Sequence, residues 1–343
     1  MSLTPKTPIP EGAIRYNTDS NKMEVWNGQK WMIVSVSSPN LDGGARGIFF
    51  GGSPSSQSYT KMNFITIPTQ GDAGDFGDLA TLHNQGAAAG SSTRGLYAGG
   101  ENPSVTNTIE FITFSSTGDS QDFGDMTDQR RRMNGMGCSN QTRALFSGGY
   151  DGSSGGTLNL IDLVTITSTG NANDFGDLTN RKESGSCCAS PTRGLIHGGR
   201  QQPANSTLAN IDFVTIATTG NAHDFGDMSV TRAFSQSCSN ATRGLSFAGG
   251  TSPGGKGNVI DFVIMATLGN AVNFGDISQN ISYGLGAMAS PVRGVFGGGY
   301  NPSATTNVIE YVQIATEGDA VDFGDLQDAK AEASGCSNGH GGL

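Results

Sequence analysis

The sequence has few basic residues, few histidines and no long apolar run. Lys and Arg number 20 against 30 Asp and Glu, which gives a formal net charge of -10. Because phosphate backbones and anionic lipid surfaces are bound chiefly by Lys and Arg, this balance disfavours nucleic acid and membrane surfaces as partners. No apolar stretch is long enough to cross a bilayer, and residues 1–11 lack the apolar region of a signal peptide. We therefore expect a soluble protein that is made in the cytoplasm and does not insert into membranes.

Glycine, in contrast, is abundant and placed at regular intervals. The motif Asp-Phe-Gly-Asp, or a one-residue variant, occurs six times, with intervals of 47, 52, 50, 49 and 49 residues. Its copies begin at Asp75, Asp122, Asp174, Asp224, Asn273 and Asp322. An Arg followed by an apolar run and a glycine pair keeps the same period, beginning at Arg46, Arg94, Arg143, Arg193, Arg243 and Arg293. A period near fifty with strand-like runs predicts six similar units, none of which can bury its faces alone.

Each unit is predicted to hold four short strands, called a to d. In the fourth unit these cover residues 184–188, 193–197, 211–218 and 224–232. Runs rich in Val, Ile, Phe and Thr between Gly, Asn and Ser clusters are typical of an antiparallel meander, and no helical period is present. Strand c is almost continuously apolar, as in a sheet covered on both faces. Blades packed around an axis provide that environment.

Three repeated features resemble the kelch repeat over roughly residues 40–343. They are the glycine pair after strand b, a Phe or Tyr in strand c (Phe111, Phe213, Phe262, Tyr311) and a basic residue after strand d (Arg130, Arg181, Arg232, Lys330). The resemblance implies a β-propeller with four-stranded blades, here six. The chain lacks the kelch tryptophan, and the Phe of Asp-Phe-Gly-Asp could take that packing place.

The carboxy terminus predicts how such a ring closes. Residues 335–343 align with residues 237–245, which contain a strand a and the start of a strand b. The last strand a would therefore complete the first blade and remove an exposed sheet edge. The predicted fold is all-β: a small β-meander in residues 1–38, then a six-bladed kelch-like propeller in residues 39–343 that the C-terminal strand closes.

The repeated acidic motif has a structural and a functional interpretation. Asp and Gly are typical turn residues, so the copies are predicted to form one uniform turn, with their aspartates paired to the periodic arginines. The alternative is calcium, because Asp72, Asp75 and Asp78 present carboxylates three residues apart. Asn replaces Asp in other copies, which weakens that alternative. We predict no metal site and no cofactor.

Cysteine and histidine give little support to catalysis. Cys138, Cys188, Cys238 and Cys336 share one repeat position with Met288 and Ala89, which indicates a small buried apolar site; no Cys-x-x-Cys pair occurs. The histidines His83, His197, His223 and His340 lie at four different repeat positions. A non-enzymatic role is therefore predicted, and a propeller oxidase or glycan hydrolase is a less favoured alternative.

The loops between strands b and c differ most between units. They contain Tyr59, Tyr150, Arg200, Gln201 and Tyr300, the candidate ligand-binding residues, together with many Asn and Ser. Tyr supplies rigid contact area and Asn or Ser supplies hydrogen bonds, as in adaptable recognition surfaces. Variation in exposed loops is also ordinary, so both interpretations remain open.

The amino-terminal segment is predicted to be a separate three-stranded meander over residues 12–35, with a turn at Asn27-Gly28. Its aromatic residues Tyr16, Trp26 and Trp31 are the candidate anchor, because so small a sheet is marginal alone.

The run from Gly12 to Lys22, with Glu24-Val25-Trp26-Asn27-Gly28 and Trp31, resembles segments of tail-fibre and other structural proteins of tailed bacteriophages. The Thr-Gly-Asn-Ala-x-Asp-Phe-Gly-Asp units are similar to repeats in such proteins. The resemblance implies a virion protein, in a tail fibre or decorating the capsid. Its partners would be other virion proteins through the amino-terminal segment and host surface glycan through the propeller, and it could form a homo-oligomer. A kelch-like binding protein of the bacterial host is the alternative.

Overall fold

All regular structure in the described part of the chain is β-strand. The computed structural model describes residues 9–18, 22–33, 45–54, 60–101, 103–152, 156–251, 255–301 and 303–343, and no helix occurs in them. Contacts between residues divide the chain into two units, Met1–Asp42 and Gly43–Leu343.

The first unit is a three-stranded antiparallel sheet, as the sequence predicts. It contains β1 (Ile14–Asn17), β2 (Lys22–Trp26) and β3 (Trp31–Ile33) in that spatial order. The Asn27 side chain accepts hydrogen bonds from the backbone N–H groups of Gln29 and Lys30, at 3.1 and 2.8 Å. This local capping fixes the turn between β2 and β3.

The second unit contains six four-stranded antiparallel sheets, numbered here in chain order. Sheet 1 begins with β4 (Arg46–Phe50), β5 (Lys61–Thr66) and β6 (Gly74–Asp78). Sheet 2 contains β7 (Ala87–Gly90), β8 (Arg94–Ala98), β9 (Thr108–Thr113) and β10 (Gln121–Asp125). Sheet 3 contains β11 (Gly137–Ser139), β12 (Arg143–Ser147), β13 (Leu160–Thr165) and β14 (Asn173–Asp177).

Sheet 4 carries an additional two-stranded ribbon. Its strands are β15 (Ser186–Ala189), β16 (Arg193–His197), β19 (Asn210–Thr215) and β20 (His223–Asp227), with the ribbon of β17 (Arg200–Gln201) and β18 (Ser206–Thr207). Sheet 5 contains β21 (Gln236–Ser239), β22 (Arg243–Thr251), β23 (Gly255–Ile264) and β24 (Val272–Ile281). Sheet 6 contains β25 (Tyr283–Ala289), β26 (Arg293–Tyr300), β27 (Val308–Gln313) and β28 (Val321–Asp325). These antiparallel sheets are consistent with a β-propeller-like fold.

The last strand of the chain belongs to the first sheet. β29 (Ser334–Ser337) pairs antiparallel with β4, so sheet 1 has the order β29-β4-β5-β6. The predicted pairing of the carboxy-terminal strand with the first of the six repeats is confirmed. The four strands of every sheet, from first to last in spatial order, are called a, b, c and d below.

The a strands of all six sheets line one small cavity of about 50 Å³. Small side chains allow them to approach closely, and the five cysteines of the chain are buried and unpaired. The predicted buried position of the cysteine column is confirmed. His340 follows strand a of sheet 1, lines the same cavity and lies 2.8 Å from the carbonyl oxygen of Gly90.

The Asp-Phe-Gly-Asp copies lie in strand d, as the strand assignment predicts, and the prediction that they form a uniform turn is wrong. In β14, Phe175 is buried and Gly176 has a φ of +146° at a register shift opposite Ile161 and Asp162. A β-carbon on Gly176 would lie 2.5 Å from the backbone carbonyl of Gly220 in sheet 4. Glycine is required because strand d presses directly against the c–d turn of the next sheet.

A repeated hydrogen-bond seam joins each strand d to that turn. Between sheets 3 and 4, Gly220 N–H donates to Phe175 O at 2.8 Å, and Asp177 N–H donates to Asn221 Oδ1 at 3.0 Å. The same bonds join sheet 6 to sheet 1, where Gly71 N–H donates to Phe323 O at 2.9 Å and Asp325 N–H donates to Asp72 Oδ1 at 3.1 Å. Asp and Asn interchange at the position of Asn221 and Asp72, because the side-chain oxygen of either residue type accepts this backbone hydrogen bond.

The periodic arginines also connect neighbouring sheets. Arg193 lies over the ring of Phe213 and donates to the backbone oxygens of Met265 and Ala266, at 3.1 and 3.0 Å. Arg293 reaches Ile67 O of sheet 1 at 3.0 Å. Within the described residues no ion pair joins these arginines to the motif aspartates, so the predicted Asp–Arg pairing is wrong. The arginines instead satisfy carbonyl groups of the c–d turns.

Buried ion pairs cross several sheet junctions. A cation after strand d meets a carboxylate on strand c of the next sheet, in the pairs Arg130–Asp162, Lys182–Asp212 and Arg232–Asp261. The sequence prediction placed Arg181 in this column, but Arg181 is exposed and Lys182 is the buried partner. The error arose because adjacent basic residues cannot be distinguished by repeat position alone within units of unequal length.

Two neighbouring junctions lack this pair. Between sheets 5 and 6, Ile281 takes the place of the cation and lines a small cavity with Glu310. Between sheets 6 and 1, Lys330 is buried but Asn63 takes the place of the carboxylate and donates to Gln327 instead. Burial lowers the pKa of Lys330 to about 7.

Replacing this lysine is expected to stabilise the protein. The pKa of folded Lys330 is about 7, below its ordinary value of 10.5, so between these pH values the unfolded chain binds more protons. The free energy of unfolding therefore rises with pH across that window. At lower pH the buried amine is charged, and its burial destabilises the folded protein by the full amount. We expect Lys330→Met to raise the free energy of unfolding by about 2–4 kcal/mol near pH 6 and to flatten this pH dependence.

Urea unfolding at several pH values measures both effects, with exposed Arg181→Met as the control that should change neither. A Lys330→Met protein that is less stable than the parent near pH 6 would contradict the expectation.

Candidate functional site

One side of the second unit, called here the loop face, is formed by two sets of loops. One set follows the glycine pair after strand b, and the other follows strand d. Short backbone bridges hold them together, at Asn84↔Glu101, Arg131↔Tyr150, Glu183↔Arg200, Ala233↔Gly250 and Ser53↔Ala331. The variable b–c loops predicted from the sequence are therefore only half of this face.

The d–a loops carry a repeated left-handed residue. Seven residues after the last Asp of the motif, φ lies between +54° and +61° at Gln85, Arg132, Ser184, Phe234 and Glu332. After sheet 5 the left-handed residue comes one position later, at Gly284 within β25, with a φ of +85°. Left-handed non-glycine residues are uncommon and cluster at functional sites. The side chain at this position differs in every unit, although the backbone conformation is kept.

One half of the loop face is charged and internally paired. The Glu183 carboxylate, which is fully buried, accepts hydrogen bonds from Arg200 at 2.7 Å and Arg132 at 3.1 Å. Arg131 pairs with Glu101. The ring of Tyr150 lies beneath both Arg131 and Arg132, at 5.2 and 5.0 Å from the guanidinium carbons. These groups satisfy one another, which leaves little unpaired charge to bind a ligand.

The other half is aromatic. Tyr283 and Tyr300 stack with ring centroids 5.0 Å apart and ring planes 7° apart. Phe234 lies beside Tyr283 at 6.0 Å, and Arg200 covers Phe234 at 4.9 Å. The aromatic row thus joins the charged half through Arg200.

Beside the tyrosine pair lies a recess of about 630 Å³. Its lining includes Asn84 and Glu332 opposite the aromatic residues, and small residues complete it: Ser53, Ser303, Ala304, Thr305 and Ala331. The Glu332 carboxyl accepts hydrogen bonds from the amides of Asn84 at 3.0 Å and Gln85 at 3.2 Å. Burial raises the pKa of Glu332, and burial together with Glu332 raises the pKa of Tyr283. A volume in this range is typical of small-molecule sites.

The predicted ligand-binding residues fall in different places. Tyr300 lines the recess, whereas Tyr150 and Arg200 belong to the charged half. Gln201 lies in β17 and pairs with Ser206 of β18. Tyr59 lies outside the described residues. Their role in binding stays a prediction.

Sequence reasoning missed Asn84 and Glu332, which lie in d–a loops, and Tyr283, which is the first residue of β25. The sequence did contain a signal, at the repeat position seven residues after the last Asp of the motif, where the residue type differs in every unit. This position closely follows one, five residues after the same Asp, that is Arg or Lys in most units. A comparison of loop lengths does not reveal it, because the last Asp of a motif lies 16 to 18 residues before the next periodic Arg.

Three of the histidines occupy structural positions. His83 lies 3.7 Å from Glu110 at the sheet 1–2 junction, where several other sheets place Arg or Lys. His197 is buried, and burial lowers its pKa to about 3. His340 lies in the central cavity described above. Within the residues that the structure describes, no group of three His, Cys, Asp or Glu side chains could hold a metal ion.

The candidate anchor residues divide between the two sides of the first sheet. Trp26 and Trp31 pair across β2 and β3 with ring centroids 5.5 Å apart, and Arg15 covers Trp31 at 4.2 Å. Tyr16 lies on the other side, because it pairs with Met23 in the alternate register. That side also carries Ile14 and Met32, and these side chains are exposed.

Comparison with known proteins gives no family for the chain. No protein-family model matches it, and a search of curated proteins finds no match. Among the described residues no helix is long and apolar enough to cross a membrane.

Proposed function

We propose that this chain is a non-enzymatic structural protein of a bacteriophage particle, either in a tail fibre or decorating the capsid. Its second unit is a six-bladed kelch-like propeller displayed to the outside, and its first unit attaches to other virion proteins. The motif resemblance of both units to tailed-phage structural proteins supports this function, and the two-unit division supports the separation of roles.

The propeller part of the proposal rests on repeated junctions. The same strand-d seam joins each sheet to the next one, including sheet 6 to sheet 1, and six a strands share one cavity. A ring of this kind has no free sheet edge at its start or end, which suits a protein displayed on a particle.

The observation that carries the attachment role is the apolar side of the first sheet. Ile14, Tyr16, Met23 and Met32 are 65%, 56%, 46% and 43% exposed. A three-stranded sheet is barely stable alone, and such an apolar side is ordinarily covered by a partner. The propeller-like unit has a constant turn side and a varied loop face, and the latter suits contact with the host surface.

Mass spectrometry and cryo-electron microscopy of purified phage particles test this function. We expect the chain in stoichiometric amount, with residues 12–33 in contact with another virion protein. Met23→Asp should strongly reduce incorporation, because it places a charge in the apolar contact, whereas exposed Gln29→Asp should not. Absence of the chain from the particles, with recovery from host cells alone, would favour a bacterial kelch-like binding protein and overturn the proposal.

A further inference from the structure

We infer that the recess beside Tyr283 and Tyr300 binds an uncharged sugar unit of a surface polysaccharide. This inference deepens the proposed function and rests on it only for the source of the sugar. The site includes Tyr283, a residue that the sequence analysis did not select, and combines it with Tyr300, Asn84 and Glu332.

The aromatic wall supplies the first element of recognition. A sugar ring has C–H groups on its faces, which pack against the electron-rich face of an aromatic ring. Tyr283 and Tyr300 are held parallel by their mutual stacking, and Phe234 supports Tyr283 from the side. The wall is therefore preorganised, so little side-chain freedom is lost on binding.

The polar wall supplies the second element. Glu332 is fixed by the amides of Asn84 and Gln85 and by its own left-handed backbone, with a φ of +59°. Each carboxyl oxygen accepts one protein hydrogen bond and has a further lone pair for a sugar hydroxyl. The Asn84 carbonyl oxygen and the hydroxyls of Ser53, Ser303 and Thr305 add acceptors and donors on the same recess. Hydroxyl-rich ligands need this density of polar groups beside an apolar surface.

The charge of the recess lining and of the whole chain disfavours ionic ligands. Among the described residues that line the recess there is no Lys or Arg, and the chain carries a net charge of -10, so an acidic sugar or phosphate would be disfavoured. A cation would need an open aromatic cage and an unengaged carboxylate. Here each tyrosine covers one face of the other, and the Glu332 carboxyl is engaged by two amides.

Saturation-transfer NMR with the full chain tests the inference. The probes are maltose, cellobiose, lactose and N,N′-diacetylchitobiose as neutral sugars, sialyllactose as the acidic probe and choline as the cation. We expect saturable binding of at least one neutral probe. Tyr300→Ala should weaken it by about tenfold or more, because it removes both the aromatic contact and the apolar area that the ring buries against the sugar. Asn84→Ala should weaken it similarly, whereas Tyr300→Phe should keep much of it.

Val292→Ala, at an exposed residue between β25 and β26 that does not line the recess, is the control and should leave the affinity unchanged. Far-ultraviolet circular dichroism confirms that each variant is folded. Failure of all neutral probes to bind, stronger binding of sialyllactose or choline, or binding that survives both Tyr300→Ala and Asn84→Ala would overturn the inference. A chain that is present in phage particles yet binds no sugar would refute only this inference, and a sugar-binding chain absent from particles would refute only the proposed function.

Discussion

Removal of residues 334–343 is expected to lower the melting temperature by on the order of 10 °C and to cause aggregation. The deletion takes away β29, whose residues pair with Gly47 to Phe50 of β4. It also removes the Ser334 hydroxyl, which donates to Gly86 O at 2.7 Å, and the Ser337 hydroxyl, which donates to Ala289 O at 2.5 Å. At about 1 kcal/mol for each lost hydrogen bond, the loss amounts to several kcal/mol.

The exposed edge of β4 explains the expected aggregation, because unpaired strand edges template pairing between molecules. Removal of residues 339–343 alone is the matched control. It keeps β29 and the bond from Arg46 N–H to Asn338 Oδ1 at 2.6 Å, while it loses the His340 contacts in the central cavity. We expect a small change for this control. Equal melting temperatures for the full deletion and the parent protein would contradict the pairing of β29 with β4.

The second large effect is expected from Gly176→Ala, which should lower the free energy of unfolding by about 3 kcal/mol or more. Gly176 has a φ of +146°, and a β-carbon there would lie 2.5 Å from the carbonyl of Gly220. Because backbone rather than a flexible side chain is the obstacle, sheets 3 and 4 must separate to accept the methyl group. The hydrogen bonds of the seam would then lengthen as well.

Gly220→Ala separates the effect of the close contact from the effect of the strained backbone conformation. Gly220 has a nearly identical φ of +153°, but no atom of the described residues lies within 4 Å of the position of its β-carbon. Its substitution carries the conformational strain alone, about 1–2 kcal/mol. Urea unfolding of both variants gives the difference, which measures the close approach of the two sheets. Equal losses for Gly176→Ala and Gly220→Ala would mean that no close contact exists at this seam.

The repeat made much of the fold predictable. A period near fifty and four strand-like runs led to four-stranded antiparallel sheets, and strand b of the fourth unit has the predicted bounds, Arg193–His197. Strand c was predicted to continue to residue 218, but β19 ends at Thr215, where Thr218 N–H donates back to Thr215 O. The sequence could not reveal this end, because the β-branched residues of the strand continue without a break through Ile216.

The acidic motif was misjudged for a physical reason. Asp and Gly are typical of turns, yet here glycine is needed for contact between sheets, and the aspartates flank a buried Phe within a strand. Local propensity cannot report a neighbour that is about 45 residues away in the chain, such as Gly220 beside Gly176. The recess could not be predicted from the sequence for the same reason, because Asn84, Tyr300 and Glu332 come from three segments that are distant in the chain.

A disulfide test of the pairing between the two ends of the second unit addresses the central claim most directly, because the recess also lies where sheets 6 and 1 meet. Cys336 is directly opposite Ile48 in the β29–β4 register, whereas Phe49 is opposite Gly335. Opposite residues of an antiparallel pair are close enough for a disulfide. After mild oxidation, peptide mapping of the Ile48→Cys protein should show an intramolecular link between residues 48 and 336, and Phe49→Cys should show none to Cys336. A link only between molecules, or no link at position 48, would contradict a ring closed by the carboxy-terminal strand.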